Sequence, residues 1–133
     1  MAALDTNALV RWLTDDDAAQ CAVVERLRDA ALSAGERLFV PVSVLLELEW
    51  VLRSRYEFDR AAVTAAVDAL LSVDELEIHE ELATARALWL FKQKGAPDFA
   101  DCLHVGLATQ AGRGPLLTFD RKAAKLTGAQ LLV

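Results

Sequence analysis

Short apolar runs alternate along the chain with longer stretches in which apolar residues recur at helical spacing. The runs fall at residues 2–5, 38–41, 76–79, 115–119 and 129–133. Each run is too short for a stable helix and suits a buried strand. Short, continuously apolar strands that alternate with helices are typical of a parallel sheet covered by helices on both faces. The pattern therefore predicts an α/β fold with a mainly parallel, five-stranded sheet.

Capping residues set the bounds of the predicted helices. Acidic residues at 15–17 suit the start of a helix, and Gly35 suits its end. Ser43, Asp59 and Asp120 each precede a further helical stretch. The predicted helices cover residues 6–13, 15–34, 44–56, 60–72, 80–94, 99–112 and 121–126.

Length and composition limit the classes of protein to consider. The chain has 133 residues, of which 54% are hydrophobic, which predicts one folded domain over 1–133 and excludes a disordered chain. We see no apolar run of roughly 18–20 residues and no secretory signal pattern, so we expect a cytoplasmic protein. Cys21 and Cys102 form no paired motif, which suits a reducing compartment.

The charge of the chain is acidic but uneven. Its 20 acidic and 14 basic side chains give a formal charge of −6, which argues against a general polyanion binder. The net charge is −3 over residues 1–56, −7 over 57–81 and +4 over 82–133. Such asymmetry can steer a charged partner toward one face.

Five carboxylates are expected at one edge of the predicted sheet. Asp5 and Asp120 follow the first and fourth strands, and Glu47 lies about one turn into the helix after the second. Asp98 and Asp101 are three residues apart and share a helix face. The carboxyl ends of parallel strands form the usual ligand-binding edge. Like charges gathered there destabilise each other unless a cation neutralises them or some take up a proton, and oxygen ligands alone indicate Mg²⁺ or Mn²⁺.

A simpler interpretation is that some of these acids only cap helices. Asp5, Asp98 and Asp120 each precede a helix, where Asp is among the preferred N-caps. Glu47 and Asp101 fit that interpretation less well. Both lie in helices that are apolar nearly all round, so we expect them to be buried, which is costly for a lone carboxylate. Glu49 should face elsewhere, at the surface or in an ion pair.

Four segments together resemble the PIN-domain ribonucleases, most closely the VapC-like toxins of type II toxin–antitoxin pairs. These segments are LDTN at 4–7, ELEWVLRS at 47–54, DFADCLHVGLA at 98–108 and LLTFDRK at 116–122. The resemblance covers nearly the whole chain. It implies a three-layer α/β/α sandwich and a metal-dependent endoribonuclease that leaves a 5′-phosphate and a 3′-hydroxyl.

The resemblance also implies roles for individual residues. The family's catalytic and metal-binding acids match Asp5, Glu47, Asp101 and Asp120, with Asp98 as an accessory acid. The principal metal ligands would be Asp5 and Asp101. The small polar residues that support such a site match Thr6, Asn7 and Thr118. Basic residues that flank the acidic motifs are candidate RNA contacts: Arg11, Arg113, Arg121 and Lys122.

Partners follow from the same resemblance. It implies an RNA substrate and a cognate VapB-like antitoxin whose C-terminal segment lies in a hydrophobic groove. The apolar helices at 44–56 and 60–71 are candidates for that groove, and they also suggest a homodimer.

Other residues and other functions remain open at this point. Trp12, Trp50 and Trp89 are expected in the core or at an interface, and His79 and His104 in structural roles. One alternative function is a Mg²⁺-dependent phosphohydrolase or phosphotransfer domain on a similar sheet. Another is a non-catalytic PIN-like interaction module in which the acids are only caps.

Overall fold

The computed structural model describes residues 2–133. The chain divides into two compact units, the first ending at His79 and the second running from Glu80 to Val133. Each unit contains its own helices and its own pair of parallel strands.

The first unit contains four helices and two strands. In chain order these are α1 (Thr6–Leu13), α2 (Ala18–Ala34), β1 (Leu38–Val40), α3 (Val42–Arg55), α4 (Arg60–Leu71) and β2 (Leu76–Ile78). Strands β1 and β2 pair in parallel, with Leu38 opposite Leu76 and Val40 opposite Ile78. A single parallel bridge joins Ala3 to Phe39, so the chain before α1 runs beside β1.

Side-chain caps begin three of these helices. The side chain of Asp5 caps α1 by accepting a hydrogen bond from the amide of Ala8. The side chain of Asp17 caps α2 by accepting one from the amide of Gln20. Asp59 starts α4. Each cap satisfies an amide that has no partner within the helix. Gly35 ends α2 with φ at 68°, a left-handed conformation that glycine adopts without steric cost.

Buried apolar side chains from the strands and helices stabilise the first unit. The helices α3 and α4 each bury apolar residues three or four positions apart, as an amphipathic helix does. These residues are Leu45, Leu48 and Leu52 on α3 and Val63, Val67 and Leu70 on α4. In β1 and β2 the first and third residues are buried.

The second unit contains α5 (Glu81–Phe91), α6 (Phe99–Gln110), β3 (Leu116–Thr118), a 3₁₀ turn (Ala123–Lys125) and β4 (Ala129–Leu131). Strands β3 and β4 pair in parallel. Helices α5 and α6 approach closely at Gly106, because a Cβ atom there would overlap the carbonyl oxygen of Ala83. The rings of Phe91 and Phe99 meet edge to face with centroids 5.5 Å apart.

The α/β class is confirmed, but the strand arrangement differs from the prediction. Within residues 2–133 the strands form two separate two-stranded sheets, so the single five-stranded sheet of a three-layer sandwich stays a prediction. The expected strand at 2–5 is reduced to one bridge, because Asp5 already caps α1 and the chain turns there. The expected helix at 121–126 is only a 3₁₀ turn.

No helix in the described part of the chain combines the length and the apolar composition needed to cross a membrane.

Candidate active site

Asp5 lies at the start of α1 and uses only part of its carboxylate as a cap. Its Oδ1 accepts the amide hydrogen of Ala8 at 3.0 Å, and the side chain is exposed. A carboxylate has about four acceptor positions on its two oxygens. The cap therefore leaves Oδ2 free to bind another group, so capping and ligand binding are compatible in this residue.

Thr6 links the start of α1 to α3. Its side chain is buried, at 6% exposure, and its hydroxyl donates a hydrogen bond to Oε1 of Glu47. This bond joins residues 41 positions apart in the sequence. It orients the Glu47 carboxylate, because the donor is held in a packed environment.

The expectation that Glu47 is buried is wrong. Glu47 lies on the exposed face of α3, together with Ser43 and Trp50. Glu49 is the buried glutamate, at 3% exposure, and its Oε2 accepts from Nε of Arg53 at 2.9 Å. The ion pair expected for Glu49 is thus present, and it explains how this carboxylate is accommodated away from water. Glu47 keeps its contact with solvent.

A cavity of about 240 Å³ is lined by every candidate site residue of the first unit except Arg11. Two of its lining residues, Trp50 and Arg55, were not assigned to the site from the sequence. Their spacing in the sequence could have indicated them, since Trp50 lies three residues and Arg55 eight residues after Glu47, on the same helix face. The cavity is lined by Asp5, Thr6, Asn7, Glu47, Trp50, Val51 and Arg55.

Arg11 is tied to other parts of the first unit. Its guanidinium donates to Gln20 at 2.6 Å, to Asp16 at 2.8 Å and to the hydroxyl of Tyr56 at 3.1 Å. The hydrogen bond to Tyr56 and the charge of Asp16 raise the pKa of Arg11, against the opposing effect of burial. These contacts hold α1 against the start of α2. The predicted RNA contact through Arg11 stays a prediction.

In the second unit, Asp120 follows β3 and is fixed by its neighbours. Its backbone amide donates to the hydroxyl of Thr118 at 3.0 Å, and its Oδ1 accepts from the amide of Ala123 at 2.8 Å. As in Asp5, one carboxylate oxygen is used locally. Thr118 therefore supports the turn that presents Asp120.

Asp98 occupies the N-cap position of α6, but its side chain makes no capping hydrogen bond with any residue that the structure describes. It is exposed. The simple capping interpretation therefore does not account for Asp98, in contrast to Asp5 and Asp120.

Asp101 lies in the first turn of α6 and is partly buried. Burial raises its pKa, and the negative charges of Asp120 and Asp98 raise it further, while His104 lowers it. The shift shows that Asp98, Asp101 and Asp120 lie close enough to interact electrostatically. Their mutual repulsion adds to the effect of burial on Asp101.

The donor set suits a hard divalent cation, although no ion cage is preformed. Among residues 2–133, no three carboxylate, imidazole or thiol side chains are arranged so that they could hold a metal ion. The donors in question are all carboxylates, which favour Mg²⁺ or Mn²⁺ over softer metals. A cation near Asp101 would also offset the repulsion that raises the pKa of this residue.

The other candidate RNA contacts lie at the surface, and Trp12 packs against a basic side chain. Arg113, Arg121 and Lys122 are exposed. Trp12 packs against the guanidinium of Arg28, which lies 3.9 Å from the ring centroid.

Two tryptophans and both histidines differ in how well they match their expected positions. Trp50 and Trp89 are 51% and 54% exposed, so neither lies in the core, and a position at an interface stays a prediction for both. His79 accepts from the amide of Val42 at 3.4 Å and contacts the ring of Phe39, as a structural residue does. His104 is exposed on α6.

Comparison with known proteins agrees with the motif-based resemblance. The family model of the PIN domain matches residues 2–129. The chain therefore belongs to the PIN domain family. It is also similar to a VapC ribonuclease of Aquifex aeolicus (strain VF5), with 26% identity over 126 residues that span 95% of this chain and 92% of that protein. The family predicted from the four sequence segments is confirmed.

Proposed function

We propose that this chain is a divalent-metal-dependent endoribonuclease that acts as the toxin of a type II toxin–antitoxin pair. The observation that carries the proposal is the similarity to a VapC ribonuclease along 95% of the chain. The acids at positions 5, 47, 98, 101 and 120 provide the chemistry that such a reaction needs. Cellular RNA as substrate also implies action in the cytoplasm.

The proposed reaction is hydrolysis of an RNA phosphodiester. Water attacks the phosphorus, the bond to the 3′ oxygen breaks, and that oxygen takes up a proton, which leaves a 5′-phosphate and a 3′-hydroxyl. Bound Mg²⁺ or Mn²⁺ would neutralise charge on the phosphate and make water more acidic. Asp5 and Asp101 are the proposed principal ligands of the ion.

The other residues position the reactants. Thr6 holds the carboxylate of Glu47, which suits Glu47 to orient the attacking water. Thr118 and the amide of Ala123 hold Asp120, which would complete the ligand set, and Asp98 would act as an auxiliary acid. Asn7 lines the same cavity as Asp5 and would support it.

The test is RNA cleavage with matched acid variants. The protein is incubated with total RNA in Mn²⁺ or in EDTA, and the cut ends are mapped for a 5′-phosphate. Cleavage should require Mn²⁺ and should be lost in Asp5→Asn and in Asp101→Asn. Asp68→Asn is the matched control, because Asp68 is an exposed acid on α4 outside the proposed site. Undiminished cleavage by both site variants would overturn the assignment.

The same assay separates the alternatives. A non-catalytic module would cleave nothing, although its helices are capped. The cap bonds of Asp5 and Asp120 and the exposed positions of Asp98 and Glu47 are compatible with such a module, so the cleavage assay decides between the two functions. A phosphohydrolase would release phosphate from monoesters and leave internal RNA bonds intact.

We further propose an antitoxin partner and a homodimer. The half-exposed indole of Trp50 on α3 supports an apolar contact surface. Helix α4 supports it less, because its larger apolar side chains Val63, Val67 and Leu70 are buried. The product of an adjacent short reading frame should inhibit cleavage when mixed with this chain. Light scattering at micromolar concentration should show a dimer, and a monomer alone would contradict that part.

A further inference from the structure

A second cavity lies entirely within the second unit, and none of the five candidate acids lines it. Its volume is about 300 Å³, at the lower end of the roughly 300–1,000 Å³ that ligand pockets occupy. It is formed by the end of α5, the segment that follows, and the 3₁₀ turn with the residues after it. A space of this size suits one nucleotide-sized group.

Three lysines give this cavity its charge. Lys94, Lys122 and Lys125 line it, and all three are exposed. Within residues 80–133 none of them forms an ion pair. No acidic side chain lines the cavity. The cavity therefore presents uncompensated positive charge, in a chain whose overall charge is −6.

The indole of Trp89 lines the same cavity. Its side chain is 54% exposed, while its neighbours Leu90 and Ala96 are 1% and 5% exposed and form an apolar base. An indole left half in water beside free ammonium groups provides a stacking surface next to an anion-binding surface. Proteins that hold single-stranded nucleic acid combine these two elements, with bases stacked on aromatic rings and phosphates against lysines.

The cavity adjoins the acids of the second unit along the chain. Pro97 lines it and is followed directly by Asp98, and Lys122 lines it two residues after Asp120. Consecutive Cα atoms are about 3.8 Å apart, so the Cα atoms of Lys122 and Asp120 lie within about 7.6 Å of each other. A strand whose scissile phosphate lies at the acids would pass this cavity with an adjacent nucleotide.

We propose that this cavity binds one nucleotide of a single-stranded RNA next to the cleaved bond, with the phosphate against Lys94, Lys122 and Lys125 and the base on Trp89. Of these residues only Lys122 was a candidate RNA contact from the sequence. The identification of RNA as the ligand rests on the proposed function, but binding at this cavity needs no cleavage. An acidic peptide would match the lysines alone, whereas the adjacent indole favours a nucleotide.

Binding is measured with the full chain in EDTA, by the anisotropy of a fluorescent single-stranded oligoribonucleotide. Trp89→Leu should weaken binding about 5–150-fold, the usual effect of losing one stacked base. Trp89→Phe keeps an aromatic face and should restore most of the affinity. All the substituted side chains are exposed, and circular dichroism verifies that each variant is folded.

Salt dependence tests the lysines. Replacement of Lys94, Lys122 and Lys125 by Gln should reduce the slope of log affinity against log salt by about 0.7, since the three lysines contact one phosphate and each phosphate neutralised on a single strand contributes about 0.7. Lys92→Gln is the matched control, because Lys92 is an exposed lysine at the end of α5 that does not line the cavity. This control should bind with the wild-type slope and affinity.

The outcomes separate this inference from the proposed function. Oligonucleotide binding that is unchanged in both Trp89→Leu and the triple Gln variant overturns the inference, even if the wild type cleaves RNA. Binding that depends on Trp89 upholds it, even if no cleavage is found. Lysine-dependent binding of polyglutamate without binding of RNA would instead assign the cavity to a protein partner and overturn the nucleotide assignment.

Discussion

Two glutamates only two residues apart on α3 have opposite surroundings. Glu49 is buried and neutralised by Arg53, whereas Glu47 is exposed and accepts a hydrogen bond from Thr6. A buried carboxylate needs a positively charged partner, and the ion pair with Arg53 engages the Glu49 carboxylate inside the fold. The Glu47 carboxylate keeps its second oxygen available to solvent. Glu47 is therefore the one of the two that suits a role in catalysis.

The hydrogen bond from Thr6 gives a first prediction. Thr6→Val removes the donor with little change in volume and should reduce RNA cleavage about 10–100-fold, the usual effect of losing a residue that orients a ligand. Thr6→Ser keeps the hydroxyl and should retain most of the activity. The measurement is the initial rate of RNA cleavage in Mn²⁺.

Thr84 provides a control for this prediction. Its hydroxyl is the buried side-chain group for which the structure shows no hydrogen-bond partner among residues 2–133. Thr84→Val makes the same chemical change in α5 and should leave the cleavage rate unchanged. Equal losses in Thr6→Val and Thr84→Val would mean that the effect is general destabilisation and not loss of the bond to Glu47.

The raised pKa of Asp101 gives a second prediction. Because the folded-state pKa lies above the unfolded value of 3.8, the contribution of Asp101 to stability is full below that pH and is lost as pH rises through the folded pKa. In metal-free buffer, Asp101→Asn should therefore melt at a higher temperature than the wild type at neutral pH. This advantage should shrink as the pH falls toward 3.8.

Melting curves across this pH range test the linkage. The matched variant Asp120→Asn removes the charge that raises the pKa of Asp101 more than the charge of Asp98 does. It should therefore lower that pKa in a carboxyl NMR titration. An advantage of Asp101→Asn that stays constant with pH would contradict a raised pKa for this carboxyl group.

Candidate acids for the site could be proposed from the sequence, but their environments could not be predicted. Asp5, Asp98 and Asp120 were identified because they follow strands or precede helices, which is local information. Whether a residue on α3 is exposed depends on what packs against that helix, and this is decided by residues far away in the chain. For the same reason the lining roles of Trp50 and Arg55 were missed.

Among the helices, α5 and α6 of the second unit depend on one small residue at their closest approach. At Gly106 a side chain would overlap the carbonyl oxygen of Ala83, which belongs to the backbone and cannot rotate away. Gly106→Ala should therefore lower the free energy of unfolding by about 1–3 kcal/mol, as overpacking does. Urea denaturation of the two proteins measures this difference.

The sign of this effect is diagnostic. In an unhindered helix interior, replacement of Gly by Ala stabilises by about 0.5–1 kcal/mol. A variant Gly106→Ala that is more stable than the wild type would show that the backbones of α5 and α6 leave room for a methyl group at this position.

The elements themselves were predictable to the extent that local signals define them. The caps at Asp17 and Asp59 and the left-handed Gly35 begin and end helices as the sequence indicated. The short strands at 38–40, 76–78, 116–118 and 129–131 fall inside the predicted runs. Strand pairing was not predictable in this way, because three-residue strands carry too little pattern to fix which neighbours they bond.

Across the whole molecule, the acidic charge has a specific origin. The five site acids account for five of the six units of net negative charge, and the remaining side chains sum to −1. The chain is therefore nearly neutral apart from these acids. An acidic isoelectric point does not argue against an RNA substrate when the charge belongs to a cation-binding site, and the basic cavity with Trp89 lies in the part of the chain that carries a positive balance.

This distribution gives the last prediction. A divalent ion that binds only the folded state raises the free energy of unfolding. Once the ion concentration exceeds the dissociation constant, this free energy grows with the logarithm of the concentration. Mn²⁺ should thus raise the melting temperature of the wild type, EDTA should reverse the effect, and Asp101→Asn should abolish it. The control Asp68→Asn should retain the full shift.

Asp5→Asn is the decisive variant, because Asp5 belongs to the first unit. Loss of the shift in Asp5→Asn would support the proposed role of Asp5 as a ligand, whereas a full shift would contradict that role.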